Sequence, residues 1–293
     1  MEANPEDLNP EVATSWRAAG ITRLSLGVQS FDPKVLTWMH RTHSPEAAGL
    51  AVDAARSAGI DDISVDLIFA LPGELERSWS NDLERALELA PTHVSLYGLT
   101  VEPHTPLGRW TARGEVAEAP EERYAAEFLE AHEAMTGAGF EHYEVSNFGL
   151  PRHRSQHNSS YWRRVPYLGL GPSAHSFDGE RRRWNEREFA AWATRVAAGD
   201  DPMAGDELLV ADQRLAEEVY LGLRTIDGLE IAASDEKVIA QWTAAGWAES
   251  RSAPLGARPT LSPEPSSDRL ILTPEGWLRL DSLAAALSAA RSR

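Results

Sequence analysis

The sequence contains no cysteine among its 293 residues. This absence excludes disulfide bonds, thiolate nucleophiles and any all-cysteine metal or iron–sulfur site built from this chain alone. Long hydrophobic runs are also missing, because no apolar stretch reaches the length of a bilayer-spanning helix. The first residues, Met1 to Pro5, do not read as a signal peptide. We therefore expect a cytoplasmic protein with no stable membrane insertion.

Positive charge is scarce compared with negative charge. The chain has 28 Lys and Arg residues against 45 Asp and Glu residues, and its formal net charge is −17. Such a surface repels phosphate backbones and anionic lipids, so we expect no nucleic-acid partner. The hydrophobic and charged fractions, 42% and 25%, are those of an ordinary globular protein.

The first half of the sequence alternates strand-like and helix-like segments. Repeated strand–helix–strand units predict parallel strands with helical crossovers, as in an α/β barrel. One helix is predicted to begin at Ser44-Pro45, with Ser44 as its N-cap, and to be closed by Gly59. The other predicted elements are strands over 21–28, 63–69, 93–99 and 142–145, and helices over 76–89, 120–138 and 185–198.

A change of composition over 198–202 predicts a boundary between domains 1–200 and 205–293. The second domain is predicted to be winged-helix-like, and its Pro- and Ser-rich run Pro254–Ser267 is predicted to be a flexible loop. It holds 9 basic and 14 acidic residues. This negative balance favours a packing or interaction role over DNA binding. The predicted elements are helices over 211–223, 236–245 and 276–287 and a strand over 269–273.

Polar residues fall at the ends of the predicted strands, where parallel barrels carry their functional groups. Gln29 ends the first of these strands, and Glu102 follows the third. Asp66 lies inside an apolar run, where an unpaired carboxylate is costly. It is either a functional acid or a structural ion-pair partner, for instance of Arg41.

The stretch from Gln156 to Trp162 combines an imidazole, an amide, a phenol and an indole. This set suits a flat, aromatic ligand with an iron centre, because histidine is the commonest haem ligand and aromatic rings cover porphyrin faces. A buried loop of aromatic side chains with satisfied polar groups is the alternative, and the residues alone leave both open.

A series of motifs runs along the chain, at Glu2 to Pro5, Arg23 to Phe31, Arg41, Asp66 to Gly73, Tyr143 to Phe148 and His157 to Trp162. Together they resemble the radical SAM family of oxygen-independent coproporphyrinogen III oxidases, and the later motifs are similar to its haem-chaperone branch. The resemblance covers nearly the whole chain.

The resemblance implies an incomplete radical SAM-type (β/α) barrel that lacks its first strand–helix units, followed by the winged-helix-like C-terminal domain. In the family, S-adenosylmethionine lies across the strand ends of the barrel. By motif, its contacts fall on Glu2, Gln29, Arg41 and Asp66.

The haem-chaperone branch implies haem as the ligand and haem-accepting proteins as partners to which the haem is transferred. Its motif falls on His157, Asn158, Tyr161 and Trp162, with His157 as the candidate axial iron ligand and the two aromatic rings as walls. His175 is a second candidate for the iron. The alternative is a fragment of an oxygen-independent coproporphyrinogen III oxidase, an enzyme of porphyrin biosynthesis.

The chain departs from the family in one large respect. Family members carry, upstream, three cysteines that hold a [4Fe–4S] cluster, and this sequence has none. Without the cluster no electron can cleave S-adenosylmethionine, so the chain as written is expected to be inactive in radical chemistry. Because it opens inside a motif, at Met1-Glu2, we expect a truncated form rather than a natural cluster-free protein.

Overall fold

The computed structural model describes residues 1–252 and 268–292, and the chain divides into two compact units, Met1–Arg154 and Ser155–Arg293. The predicted boundary near residue 200 therefore falls inside the second unit. The loop predicted for Pro254–Ser267 lies outside the described residues.

The first unit contains one six-stranded sheet: β1 (Glu2–Ala3), β2 (Arg23–Gln29), β3 (Asp62–Phe69), β4 (His93–Gly98), β5 (Glu141–Glu144) and β6 (Asn147–Gly149). The strand order is β1-β2-β3-β4-β6-β5. The first four strands are parallel, and β6 pairs antiparallel with both β4 and β5. The predicted parallel strands are confirmed to within two residues at each end.

Helices lie between successive strands of the first unit from β1 to β5: α1 (Pro10–Ala18), α2 (Pro33–Trp38), α3 (Pro45–Ser57), α4 (Trp79–Glu88), α5 (Pro106–Ala112) and α6 (Glu121–Gly137). Short 3-10 helices lie at Pro5–Asp7 and Gly73–Leu75. Proline occupies the first turn of α3, as predicted, and Gly59 follows that helix with φ 81°. The Ser44 side chain, however, makes no capping hydrogen bond.

Alternation along β2 and β3 gives the sheet one apolar face. Leu24, Leu26 and Val28 of β2 are fully buried, as are Val65 and Leu67 of β3. Because successive strand residues point to opposite faces, these side chains form a single layer. That layer packs against α3, α4 and α6. The intervening residues of the strands form the other face of the sheet.

A buried ion cluster around Arg77 fixes the ends of β2 and β3. The Arg77 guanidinium donates to Asp82 Oδ2 at 3.0 Å and to Glu127 Oε2 at 2.9 Å. Asp82 also accepts the backbone N–H of Phe31 at 2.7 Å, just after β2. Glu127 accepts the backbone N–H of Ala70 at 2.7 Å, just after β3. The cluster thus joins α4 and α6 to the carboxyl ends of both strands.

Over 155–252 and 268–292, the second unit contains two three-stranded sheets and six helices. One sheet has the order β7 (His175–Phe177), β8 (Arg181–Asn185), β9 (Met203–Leu208), and the other has the order β10 (Leu229–Glu230), β12 (Asp268–Leu272), β11 (Ala248–Ser252). The helices are α7 (Gln156–Trp162), α8 (Phe189–Ala198), α9 (Ala211–Leu223), α10 (Glu236–Ala244), α11 (Pro274–Trp277) and α12 (Leu280–Arg291), with a 3-10 helix at Ala233–Asp235.

Three predictions for this unit are wrong in detail. The aromatic stretch Gln156–Trp162 is a helix rather than a loop. The helix predicted from residue 185 begins only at Phe189, because Asn185 is paired with Met203 in the sheet. The helix predicted over 276–287 is divided between α11 and α12. Over the residues that the structure describes, no helix is long and apolar enough to cross a membrane.

Replacing Arg77 with methionine should destabilise the first unit by about 3–5 kcal/mol, because buried Asp82 loses its counter-charge and Glu127 keeps only Arg123. Arg113→Met is the matched control, since Arg113 and Glu115 form an ion pair in which both side chains are about half exposed. That control should cost far less, because exposed ion pairs contribute little to stability. Urea denaturation of both variants measures the difference, and equal midpoints would contradict the structural role of the cluster.

Candidate functional site

The second face of the sheet is lined with small polar side chains. Register places Ser25 of β2 beside Ser64 of β3, and Asp66 of β3 beside Ser95 of β4. Each of these residues alternates with a buried aliphatic one. A polar face of this kind, opposite a helix-covered apolar face, can hold a polar ligand across the strands.

Asp66 accepts hydrogen bonds from serine side chains on this polar face. Ser25 Oγ donates to its two carboxylate oxygens at 2.9 and 3.0 Å, and Ser64 Oγ donates at 3.2 Å. Burial raises the pKa of the Asp66 carboxyl, whereas hydrogen bonds from Ser25, Ser95 and Ser64 oppose that rise. The charge of Glu2 raises it further, so these two predicted site residues interact electrostatically. The structural alternative, an ion pair between Asp66 and Arg41, is wrong.

Arg41 instead belongs to a second cluster at the end of β2. Its Nη1 donates to Asn4 Oδ1 at 2.7 Å. A Cβ at Gly27 would lie 3.0 Å from Gln29 Nε2, 3.6 Å from Asn4 Oδ1 and 3.7 Å from Arg41 Nη2, so these three side chains converge above the glycine. Gln29 has φ 68°, a left-handed conformation that a non-glycine residue rarely adopts outside constrained sites.

The polar face also contains a buried histidine that the sequence did not mark. His93 is 1% exposed. Its Nδ1 lies 2.8 Å from Ser64 Oγ, and its Nε2 lies 2.8 Å from the Tyr143 hydroxyl. Burial lowers the pKa of His93 to about 3, so the ring is neutral at pH 7. The feature of the sequence that could have marked His93 was a polar residue at the start of an otherwise buried strand.

The second unit holds the His157–Trp162 motif on α7, and its residues face two directions. His157 and Tyr161 are one helical turn apart, with ring centroids at 4.8 Å and an edge-to-face arrangement. Tyr161 meets Tyr167 in the same way, also at 4.8 Å. Trp162 lies instead under the guanidinium of Arg224, which is 4.4 Å from the centroid of its ring. His157 and Tyr161 are therefore brought together, and Trp162 is not part of that pair.

The remaining motif residues have other surroundings. Asn158 is half-buried, and its backbone N–H donates to Ser155 Oγ at 3.3 Å, which caps α7. His175 is exposed at the start of β7, and its ring lies 5.9 Å from the ring of Trp184 in β8. Leu168 and Leu170, in the segment after Tyr167, are 75% and 84% exposed. Neither leucine is among the predicted site residues.

The fold and the family model agree on a class. Residues 1–90 match the model of the Radical SAM superfamily. A solved structure titled as coproporphyrinogen III oxidase HemN from Escherichia coli, a radical SAM enzyme, aligns with 98% of this chain and 68% of its own chain. Its TM-score is 0.72 at 20% sequence identity, which bears on the fold alone. The fold class predicted from the sequence, a partial radical SAM barrel with a C-terminal domain, is confirmed.

Curated relatives narrow the class to one branch. The heme chaperone HemW of Mycobacterium tuberculosis is 40% identical over 232 residues, which are 79% of this chain and 59% of that protein. HemW of Synechocystis sp. is 35% identical over 78% of this chain and 56% of its own length. A mitochondrial radical S-adenosyl methionine domain-containing protein 1 from Danio rerio is 37% identical over 78% of this chain and 53% of its own length.

These findings support the HemW branch of the radical SAM superfamily for this chain, as the motifs predicted. The chain spans less than two thirds of the length of the curated relatives it matches.

His93 should make folding stability depend on pH on the acid side. Because its folded-state pKa of about 3 lies below the unfolded value near 6.5, the unfolded chain takes up a proton that the folded chain refuses. The resulting loss of stability is absent above pH 6.5 and grows as pH falls, by up to about 1.4 kcal/mol per pH unit. His93→Asn removes this titration, so its stability should fall less steeply than that of wild type between pH 6 and 5.

Urea denaturation across that range checks this expectation. His104→Asn serves as the control, because it makes the same substitution at an exposed histidine. Parallel stability profiles for wild type and His93→Asn would show that His93 is not buried as a neutral ring.

Proposed function

We propose that this chain is part of a haem chaperone, which binds haem on its second unit around His157 and transfers it to haem-requiring proteins. The support comes from relatives named as heme chaperones, which are 32–40% identical over about four fifths of the chain. The observation that carries the proposal is the exposed His157 imidazole at the end of the row His157–Tyr161–Tyr167.

The surroundings of His157 suit a porphyrin. The imidazole would supply the axial ligand to the haem iron, and the Tyr161 ring beside it offers an aromatic edge. The exposed side chains of Leu168 and Leu170 follow Tyr167 and can cover part of an apolar ring face. Trp162, under Arg224, would support α7 rather than contact the ligand.

Positive charge near the motif suits the haem propionates. The whole chain is strongly acidic, yet residues 155–195 hold seven arginines against four acidic residues. Arg163 directly follows the motif and is 61% exposed, with its ion-pair partner Asp227 only loosely placed at 3.7 Å. Because that pair is weak and solvated, a propionate can replace Asp227 as the partner of Arg163 at little cost.

We also propose that the polar sheet face binds S-adenosylmethionine through Glu2, Gln29, Arg41 and Asp66. The superfamily match to residues 1–90 includes all four, and their side chains form the two clusters described above. Carboxylates suit ribose hydroxyls and an amino group, and a guanidinium suits a carboxylate. The residues of this chain do not fit a [4Fe–4S] cluster, since the sequence contains no cysteine, and we assign no radical step to it.

Haem titration of wild type and His157→Ala tests the haem proposal. Loss of the axial ligand should alter the Soret band. It should also weaken haem binding by more than roughly tenfold, which is the loss typical of removing a group that only supports a metal ligand. His104→Ala, which removes an exposed imidazole of the first unit, is the control and should bind as wild type does. His175→Ala examines the second candidate. An unchanged spectrum and affinity for His157→Ala would remove the assigned ligand.

Gly27→Val tests the nucleotide proposal. The new side chain would crowd Gln29 and Arg41, because even its Cβ lies 3.0 Å from Gln29 Nε2. Binding of S-adenosylhomocysteine, measured by calorimetry, should weaken by about tenfold, equivalent to about 1.4 kcal/mol. Gly49→Ala is the matched control, since its Cβ would make an ordinary 3.8 Å contact with Leu89. Equal affinities would contradict a ligand at this end of β2.

A further inference from the structure

We propose that Tyr143, His93 and Ser64 form a directed hydrogen-bond relay that orients the Asp66 carboxylate as an acceptor for a ligand hydroxyl group. In this relay Tyr143 donates to His93, His93 donates to Ser64, and Ser64 donates to Asp66. The three donors are positioning residues. The inference deepens the proposed S-adenosylmethionine site and rests on that proposal for the identity of the ligand.

The direction of the relay follows from the chemistry of its last member. An ionised carboxylate can only accept hydrogen bonds, so the Ser64 hydroxyl, 3.2 Å from Asp66 Oδ1, must donate its single proton to make that contact. Ser64 Oγ is then the acceptor at its 2.8 Å contact with His93 Nδ1, which must carry the hydrogen. Because the ring is neutral, its Nε2 is unprotonated and accepts the Tyr143 hydroxyl at 2.8 Å.

The opposite direction is the competing arrangement. In it Ser64 donates to His93 Nδ1, and the ring donates from Nε2 to Tyr143. Asp66 would then lose one of its donors in a partly buried place, where hydrogen bonds to charged groups are the stronger ones. When Asp66 is ionised, it is the only one of the four groups that carries a full charge, so the arrangement that serves its charged form is favoured.

The relay explains why a buried histidine lies on this face. Ser64 and His93 occupy paired positions on β3 and β4, whereas Tyr143 comes from β5. His93 thereby links Asp66, through Ser64, to Tyr143 on β5. His93 is 1% exposed, and unpaired nitrogen atoms are costly at that depth. A side chain that only filled space would therefore need no polar atom here.

Other charges face the two ends of the relay. Glu2 from β1 acts on Asp66, and Tyr97 from β4 lies close enough for Asp66 to act on it. Arg23 and His153 lower the pKa of His93, and Asp62 raises it. These groups remain the same in the variants below, so a difference between the variants reports the relay.

The polarity of the relay can be measured in the unmodified 293-residue chain. Nitrogen-15 NMR of its histidine side chains at pH 7 should show His93 with a protonated Nδ1 and an unprotonated Nε2. The reverse tautomer, or a doubly protonated ring, would overturn the proposal. No ligand is needed for this measurement.

Two substitutions then test whether the relay serves ligand binding. His93→Asn places an amide N–H near the former Nδ1 and can still donate to Ser64, whereas His93→Gln places its polar group near the former Nε2. With S-adenosylhomocysteine as the probe, His93→Asn should bind within about threefold of wild type, and His93→Gln should bind about tenfold more weakly. The acid limb of the affinity–pH profile of His93→Gln should also move to higher pH, because Asp66 loses a donor that favours its charged form.

Equal losses in the Asn and Gln variants, with an unmoved pH profile, would mean that His93 is only structural. Thermal unfolding of both variants checks that each is folded. If wild type itself does not bind S-adenosylhomocysteine, the proposed nucleotide site fails, while the tautomer measurement still decides the direction of the relay.

Discussion

The first unit depends on the buried ion cluster of Arg77, Asp82 and Glu127. Its carboxylates accept backbone N–H groups just beyond β2 and β3, where the strands stop and the chain turns. Ala70 has φ 55° at one of these turns. A backbone in that region needs external support, and the ion cluster supplies it from two helices at once. The position of each strand end, and with it the place of Gln29, follows from this arrangement.

The sheet illustrates how one strand sequence can serve two purposes. Its aliphatic residues form the helix-covered core, and the residues between them form the polar face. A one-residue slip in register would exchange these faces, so the core fixes the location of Asp66 as firmly as it fixes Val65 and Leu67. The cost of a carboxylate at this depth is offset by three serine hydroxyls, one from its own strand and one from each neighbouring strand. Stability and the proposed binding chemistry thereby belong to opposite sides of the same backbone.

Sequence patterns predicted the elements whose information is local. The parallel strands follow from alternation and apolar runs, and α3 follows from Pro45 and Gly59. The helix α7 was missed because its Asn, Ser, His and aromatic residues are weak helix formers. Long-range contacts could not be predicted either, because no residue near His93 in the sequence indicates its hydrogen bond to Tyr143, fifty positions later. The family motifs marked Asp66 and Arg41, but only the structure separates them into two clusters.

The division of the chain at residues 154 and 155 has an evolutionary consequence. The groups proposed to bind the nucleotide all come from one folding unit, and those proposed to bind the porphyrin all come from the other. Selection can therefore adjust affinity for one ligand without altering any side chain that contacts the other. Lineages under different demands for cargo and cofactor can drift independently in the two halves, and sequence divergence between relatives should be expected to differ from one half to the other.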